Sequence, residues 1–130
     1  MNSNTLKDTP ATALYAASAG IVKPAAALAQ CAAMAQQRGW TIGGQSEFWD
    51  CAPPGRLVAR SQWAGAMRQA EAGVVAGIVV HRLADVVSDG EAYARLGEWA
   101  VDQNTFVLFV DGGSYGALHL VGRAPAGVIA

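Results

Sequence analysis

The polar residues that could do chemistry stand at the ends of apolar segments. Ser18 follows apolar residues 12–17, and a serine hydroxyl becomes a nucleophile when a neighbouring base takes its proton. His81 and Arg82 follow residues 74–80, which are apolar throughout, and ligands of open α/β sheets usually bind at such strand ends. Ser18 is therefore a candidate nucleophile, and His81 and Arg82 are candidate ligand-binding residues. The structural alternatives are a turn hydroxyl for Ser18 and solvent-facing side chains for the other two.

The cysteines and the glycine-rich segment do not indicate a metal or phosphate site. Neither Cys31 nor Cys51 has another Cys or a His at ligand spacing, so we expect no metal and no cofactor. Unpaired cysteines are typical of a reducing cytoplasm, which is the expected compartment. Residues 111–116 (DGGSYG) lack the lysine of a phosphate loop and begin with an aspartate, so they predict a hairpin turn.

Composition and charge favour one globular domain without a nucleic-acid-binding face. The chain has 130 residues, 52% of them hydrophobic, and a formal net charge of -1. Its nine Lys and Arg residues are scattered singly, which does not support a phosphate-binding surface, so DNA is a possible partner that the charge does not favour. No apolar run reaches the roughly 18 to 20 residues of a membrane helix, so no membrane partner is expected.

Hydrophobic periodicity predicts three helices. The first opens at Pro24, places Leu28 and Cys31 on an apolar face, and stops at Gly39. The second covers residues 60–72, and the third covers residues 89–101 with Ser88 or Asp89 as its N-cap. Strands are predicted at residues 12–17, near the two ends of residues 40–49, and at residues 74–80, 105–110 and 117–121, with a loop at residues 50–55.

This element order predicts an α/β fold in three layers. We expect a mostly parallel sheet of four to five strands with helices on both faces. The last two strands flank the predicted turn, so an antiparallel edge hairpin is expected at the C-terminus. Residues 1–10 are predicted to be a flexible tail, residues 11–122 a single domain, and residues 123–130 a C-terminal tail.

Several segments, taken in chain order, carry a family resemblance. The first strand contains Tyr15 two residues before Ala17, and the first helix carries glutamine and ends in Gly39-Trp40. An acidic residue, a glycine loop and a helix-opening arginine then follow the second strand, and a polar segment follows the apolar third strand. Over about residues 13–110 this series resembles the catalytic domain of serine recombinases, the resolvases and invertases. The resemblance implies the resolvase-like α/β fold described above.

The resemblance also implies that most of the catalytic residues are missing. The family's first strand carries Tyr-x-Arg-x-Ser, and here Ala17 and Ala19 stand at its arginine and serine positions. The segment after the family's third strand reads Leu-Asp-Arg-Leu-x-Arg. Its aspartate position is Ala84, and its two arginine positions are Asp85 and Ser88. One of the lost positive charges has therefore been replaced by a negative one.

Phosphodiester attack needs a nucleophile and several positive donors aimed at the developing charge. Loss of one such donor costs about 3 to 4 kcal/mol of transition-state stabilisation, so strand cleavage is not expected. Asp50, Gly55 and Arg60 match the family in type and spacing. Asp50 and Arg60, with His81 and Arg82, are the expected cleft residues, and Ser18 would be the nucleophile only if activity remained.

The resulting hypothesis is a catalytically inactive recombinase-like domain that acts through protein association, with regulation as its expected role. Self-association is the simplest form, because the relatives act as dimers and tetramers. One alternative is a residual DNA-binding or DNA-cleaving enzyme that uses Ser18, although no helix-turn-helix module for reading DNA is apparent. The other is a domain that binds a small molecule or an anion in the vacated cleft near Ser18 and Arg82.

Overall fold

The structure, a computed structural model, describes residues 10–51 and 60–123, with residues 43–46 described by their backbone alone. These residues form five strands, three α-helices and two short 3-10 helices. The strands are β1 (Ala11–Ser18), β2 (Thr41–Cys51), β3 (Gly77–Arg82), β4 (Phe106–Asp111) and β5 (Ala117–Gly122). The helices are α1 (Ala25–Gln37), α2 (Ser61–Glu71) and α3 (Gly90–Asp102), and the 3-10 helices are Leu83–Asp85 and Gly113–Tyr115.

The five strands form one sheet in the order β2-β1-β3-β4-β5. The first four strands are parallel, and β5 pairs antiparallel with β4, from Phe106 opposite Gly122 to Asp111 opposite Ala117. The predicted mostly parallel sheet and its antiparallel edge hairpin are confirmed. The hairpin turn depends on Gly112, because a Cβ there would lie 2.2 Å from the carbonyl oxygen of Gly116.

Helices cover both faces of the sheet and create two cores. Side chains alternate along β1, so Ala13 and Tyr15 pack with α2 and α3, whereas Leu14 and Ala16 pack with α1. The connection from β1 through α1 leads to one edge of the sheet, and the next two connections lead towards the other edge. Right-handed crossovers then place α1 on one face and the other two helices on the opposite face. The predicted three-layer architecture is confirmed.

The first helix buries the stripe that its sequence predicts. Leu28, Cys31 and Ala35 are buried against the sheet, at helical spacing. The helix ends at Gln37, and Gly39 follows its C-cap with a φ of 77°, a left-handed conformation that glycine adopts without strain. The next residue, Trp40, packs on Phe106 with ring centroids 4.8 Å apart, so the end of α1 is fixed to β4.

The two cysteines differ in reactivity because only one of them is accessible. Cys51 is exposed, whereas burial, followed by the negative charge of Asp85, raises the pKa of the Cys31 thiol to about 12. Because the thiolate is the reactive form, we expect Ellman's reagent at pH 8 to modify one thiol in the folded protein and both in urea. The Cys51→Ser variant should show no reaction until it is unfolded. Equal rates for both thiols in the folded protein would contradict this burial.

Two boundaries differ from the sequence-based expectations, whereas the cap of α3 is one of the two residues expected for it. The sequence predicts a loop at Asp50 and Cys51, but these residues end β2. The strand continues through its two glycines because its pairing with β1 is irregular there: Thr12 is opposite Ile42, whereas Leu14 is opposite Glu47. The third strand starts at Gly77 rather than at residue 74, since residues 74–76 still connect it to α2. The cap of α3 is Asp89, whose carboxylate accepts a hydrogen bond from the Ala92 amide at 2.8 Å.

Both ends of the described chain are hydrogen bonded to the sheet region. The carbonyl of Pro10 accepts from the Thr41 amide, and the Arg123 amide donates to the carbonyl of Thr105. The rest of the two predicted tails, residues 1–9 and 124–130, lies outside the described residues, as do residues 52–55 of the predicted loop. Within the described part of the chain, no helix combines the length and the apolar character that a membrane span requires.

Candidate functional site

The carboxyl ends of β1 and β3 define the expected ligand crevice of this sheet. These strands are neighbours, yet the chain leaves β1 towards one edge of the sheet and leaves β3 towards the other. Open α/β sheets bind ligands where the strand order reverses in this way, because the two connections diverge and leave a gap. Residues at the ends of these strands, including Ala17 and Arg82, therefore border the crevice.

The crevice is bridged by an aspartate from the segment after β3. Asp85 is 3% exposed, and its Oδ2 accepts a hydrogen bond from the Ala17 amide at 3.3 Å. Its Oδ1 accepts from Nε and Nη2 of Arg82 at 3.2 and 3.0 Å. The contact with Ala17 joins the end of β1 to the 3-10 helix that follows β3. The guanidinium of Arg82 is therefore engaged by the chain's own carboxylate.

Asp50 belongs to a second buried network, on the β2 side of Tyr15. Its carboxylate accepts hydrogen bonds from the Tyr15 hydroxyl at 2.9 Å and from the Gln62 and Trp63 amides at 3.0 Å each. Those amides lie in the first turn of α2, where backbone donors have no partner within the helix. A carboxylate also interacts favourably with the helix dipole there. Asp50 thus caps α2 from the neighbouring strand.

The Tyr15 hydroxyl interacts with charged groups at the carboxyl ends of the strands. Burial, then the charge of Asp50 and the hydrogen bond to it, raise the pKa of the Tyr15 hydroxyl far above its usual range, so it remains a donor. Arg60 lowers that pKa and Asp85 raises it through their charges, so the Tyr15 hydroxyl senses ionic groups of both networks. The Nε of Arg60 is buried and makes no hydrogen bond with a described residue.

Ser18 and His81 lie on the opposite face of the sheet from Tyr15 and Asp50. Side-chain alternation places Tyr15 and Asp50 on the face of α2 and α3, and it places Ser18 on the face of α1. The Ser18 hydroxyl accepts from the Gly20 amide at 3.2 Å, which is a turn contact. His81 contacts Oε1 of Gln30, on α1, at 3.0 Å.

The sequence-derived site residues are therefore only partly brought together. Asp50 contacts Tyr15, Arg82 contacts Asp85, and the charge of Arg60 influences the Tyr15 hydroxyl, while Ser18 and His81 lie on the other face of the sheet. No base contacts the Ser18 hydroxyl among the described residues, and that oxygen serves as an acceptor. Within residues 10–51 and 60–123, no three His, Cys, Asp or Glu side chains are grouped closely enough to hold a metal ion.

No family model, curated protein or solved structure matches this chain. The geometry of its own residues therefore carries the functional argument. Two buried carboxylates, Asp50 and Asp85, lie at the carboxyl ends of the parallel strands, where an anion would have to bind in the crevice. At an effective dielectric constant of about 20, a carboxylate about 4 Å from a phosphate oxygen opposes binding by about 4 kcal/mol, before any offset by the nearby arginines.

A second group of polar and aromatic residues, not singled out in the sequence, lies beside β5. The Tyr93 hydroxyl is 2.6 Å from Nε2 of His119, and the Tyr115 ring stacks on both. Burial, and then the charge of Tyr115, raise the pKa of Tyr93 above its usual range, so its hydroxyl stays protonated beside the imidazole. The rings of Tyr93 and Tyr115 border an open cleft of about 230 Å³.

The sequence contains only a weak signal for this aromatic group. Tyr115 stands in the predicted turn and His119 in the predicted edge strand, four residues later. Their meeting with Tyr93 depends on the hairpin register, which places His119 opposite Phe109 on the face covered by α3. Hydrophobic periodicity predicts that the hairpin exists but does not fix this register.

Proposed function

We propose that this chain is a non-catalytic, recombinase-like domain that acts through protein association, most simply with a second copy of itself. The observation that carries the proposal is the Asp85 carboxylate in the crevice between β1 and β3, where it accepts from the Ala17 amide and from Arg82. A phosphate at that position would compete with this internal anion for the same donors.

The sheet order and the residue replacements support the recombinase-like part of the proposal. The α/β architecture with an antiparallel edge strand agrees with the fold that the resemblance implies. Tyr15 keeps the family's tyrosine position, but its hydroxyl donates to the capping residue Asp50. The resolvase-type arrangement of arginines around a serine is therefore replaced by contacts that stabilise the fold.

Exposed apolar side chains in the loop after β1 support association. Ile21 is 87% exposed and Val22 is 73% exposed, in the loop that joins β1 to α1. Two adjacent large apolar side chains on a loop gain free energy when a partner covers them, at about 25 cal/mol per Å² of apolar surface. A reducing, cytoplasmic location belongs to the proposal, and the two free cysteines support it.

Light scattering after gel filtration tests the association. We expect a dimer for the wild-type chain and a monomer for the Ile21→Asp/Val22→Asp double variant. A dimer of the variant would have to bury two carboxylates that have no ion-pairing group opposite them. Val74→Asp is the matched control, since Val74 is also exposed and apolar but follows α2. A wild-type chain that stays monomeric over a wide concentration range, without a co-purifying protein, would overturn the proposal.

A DNA assay separates this proposal from a residual recombinase. Incubation with supercoiled plasmid should give no nicking and no covalent protein–DNA adduct, and gel shifts should show no salt-sensitive complex. An adduct that disappears in the Ser18→Ala variant would refute the non-catalytic assignment and favour the enzyme alternative.

A further inference from the structure

We propose that the cleft beside Tyr115 binds a neutral planar heteroaromatic ligand of the nucleoside type. The cleft lies at the carboxyl end of β3, between the segment that follows this strand and the β4–β5 turn. It is separate from the crevice bridged by Asp85 and from the exposed loop that contains Ile21.

Ring geometry leaves one face of Tyr115 without an aromatic neighbour among the described residues. The Tyr115 centroid lies 4.6 Å from that of Tyr93 and 4.9 Å from that of His119, while the latter two are 5.8 Å apart. Rings on opposite faces of Tyr115 would be separated by nearly the sum of the first two distances. Tyr93 and His119 therefore lie under the same face, and Tyr115, which is 50% exposed, can stack a ligand ring on the other.

The support beneath Tyr115 makes it a defined stacking surface. The Tyr93 ring is nearly parallel to it, with an interplanar angle of 9°, and Tyr93 is fixed by its hydrogen bond to His119. Gly112 and Gly116 are held together at the base of the turn by a 2.8 Å hydrogen bond from the Gly112 amide to the Gly116 carbonyl. The aromatic ring is thus positioned by both its neighbours and its backbone.

The lining of the cleft indicates the class of ligand. Leu83 and Val87 supply an apolar surface that packs on the core, and Ser88 and Ser114 supply hydroxyl groups for the edges of a heteroaromatic ring. Among the described lining residues the charged side chain is Asp89, which disfavours an anion. The volume of about 230 Å³ is below the roughly 300 to 1,000 Å³ of pockets for drug-sized ligands, so one small ring system fits best.

A cation is a poorer match because the rings do not form a cage. Cages for ammonium groups present several aromatic faces to one point. Here Tyr93 and Tyr115 are stacked on each other at 4.6 Å, so no cation can enter between them. Stacking on the outer face of Tyr115, with hydrogen bonds to the serine hydroxyls, uses the groups that the cleft offers.

Nuclear magnetic resonance titration with adenosine tests the site, with adenosine monophosphate as the anionic comparison. We expect saturable shifts of the backbone amides of residues 88–90 and 113–116, and weaker binding of the monophosphate. Tyr115→Ala should weaken adenosine binding by roughly fivefold or more, the lower end of the effect of losing one base stack. Tyr115→Phe, which keeps the ring, should bind within about twofold of the wild type.

The Asp89→Asn variant tests the charge argument separately. Asparagine caps a helix as well as aspartate does, so α3 should remain folded and adenosine binding should stay within about twofold. Binding of the monophosphate should improve, because the negative charge is gone. The proposal is overturned if adenosine gives no saturable shifts in the cleft, if Tyr115→Ala binds it as well as the wild type, or if the wild type prefers the monophosphate.

Discussion

Replacing Asp50 with alanine is expected to lower the free energy of unfolding by about 3 to 5 kcal/mol. The substitution removes the acceptor of three hydrogen bonds, from the Tyr15 hydroxyl and from the Gln62 and Trp63 amides. Because the site is buried, water cannot fully replace the lost acceptor. Urea unfolding monitored by circular dichroism measures the change. A loss below about 1 kcal/mol would contradict the capping role of Asp50.

Two smaller substitutions serve as controls for that expectation. Tyr15→Phe removes one of the three donors and leaves the carboxylate with two, so a loss of about 1 to 1.5 kcal/mol is expected. Asp89→Ala removes an exposed cap with a single hydrogen bond, to the Ala92 amide, and should cost about 1 kcal/mol. The loss of stability should therefore be largest for Asp50→Ala and much smaller for the other two variants, if Asp50 is a buried cap with three donors.

Replacing Gly77 with alanine is expected to cost about 3 kcal/mol or more, since overpacking a rigid core is destabilising. A Cβ at this position would lie 2.4 Å from the ring of Phe106, which is fully buried and packed against Trp40. The ring therefore has little freedom to move aside. Thermal unfolding should show a lower midpoint for Gly77→Ala, by on the order of 10 °C.

Another glycine provides the matched control for this steric effect. Gly97 lies within α3, and a Cβ there would stand 3.7 Å from Cγ1 of Val121, an ordinary contact. Gly97→Ala should therefore leave stability unchanged or raise it by up to about 1 kcal/mol. In the Gly77→Ala/Phe106→Leu double variant the smaller side chain should relieve the clash, so the loss should be less than the sum of the single losses. Strict additivity would contradict the steric explanation.

The sequence predicts the layers of this fold because its helices and central strands carry clear periodic patterns. The buried stripe of α1, with Leu28 and Cys31, is one example, and the uninterrupted apolar run of residues 74–80, which leads into β3, is another. The full length of β2 was not predictable, because glycine and the following Pro-Pro-Gly composition are typical of loops. In the structure, pairing with β1 overrides that local preference through residue 51.

The candidate site was less predictable because its contacts join residues distant in sequence. Asp85 was identified as a reversed charge, but its bond to the Ala17 amide requires knowledge of which strands are neighbours. Asp50 was expected in a ligand cleft, yet its partners are the first amides of α2 and Tyr15. Composition gives residue types, whereas the role of a buried carboxylate depends on the donors that the fold brings to it.

The carboxylate of Asp85 also has an evolutionary consequence. An arginine at this position would remove the acceptor for the Ala17 amide and would place a second guanidinium beside Arg82, which would then lack its counter-charge. A change from a negative to a positive charge at this position would therefore weaken the fold. Selection for stability alone would then keep an acidic residue at this position, whatever the domain binds.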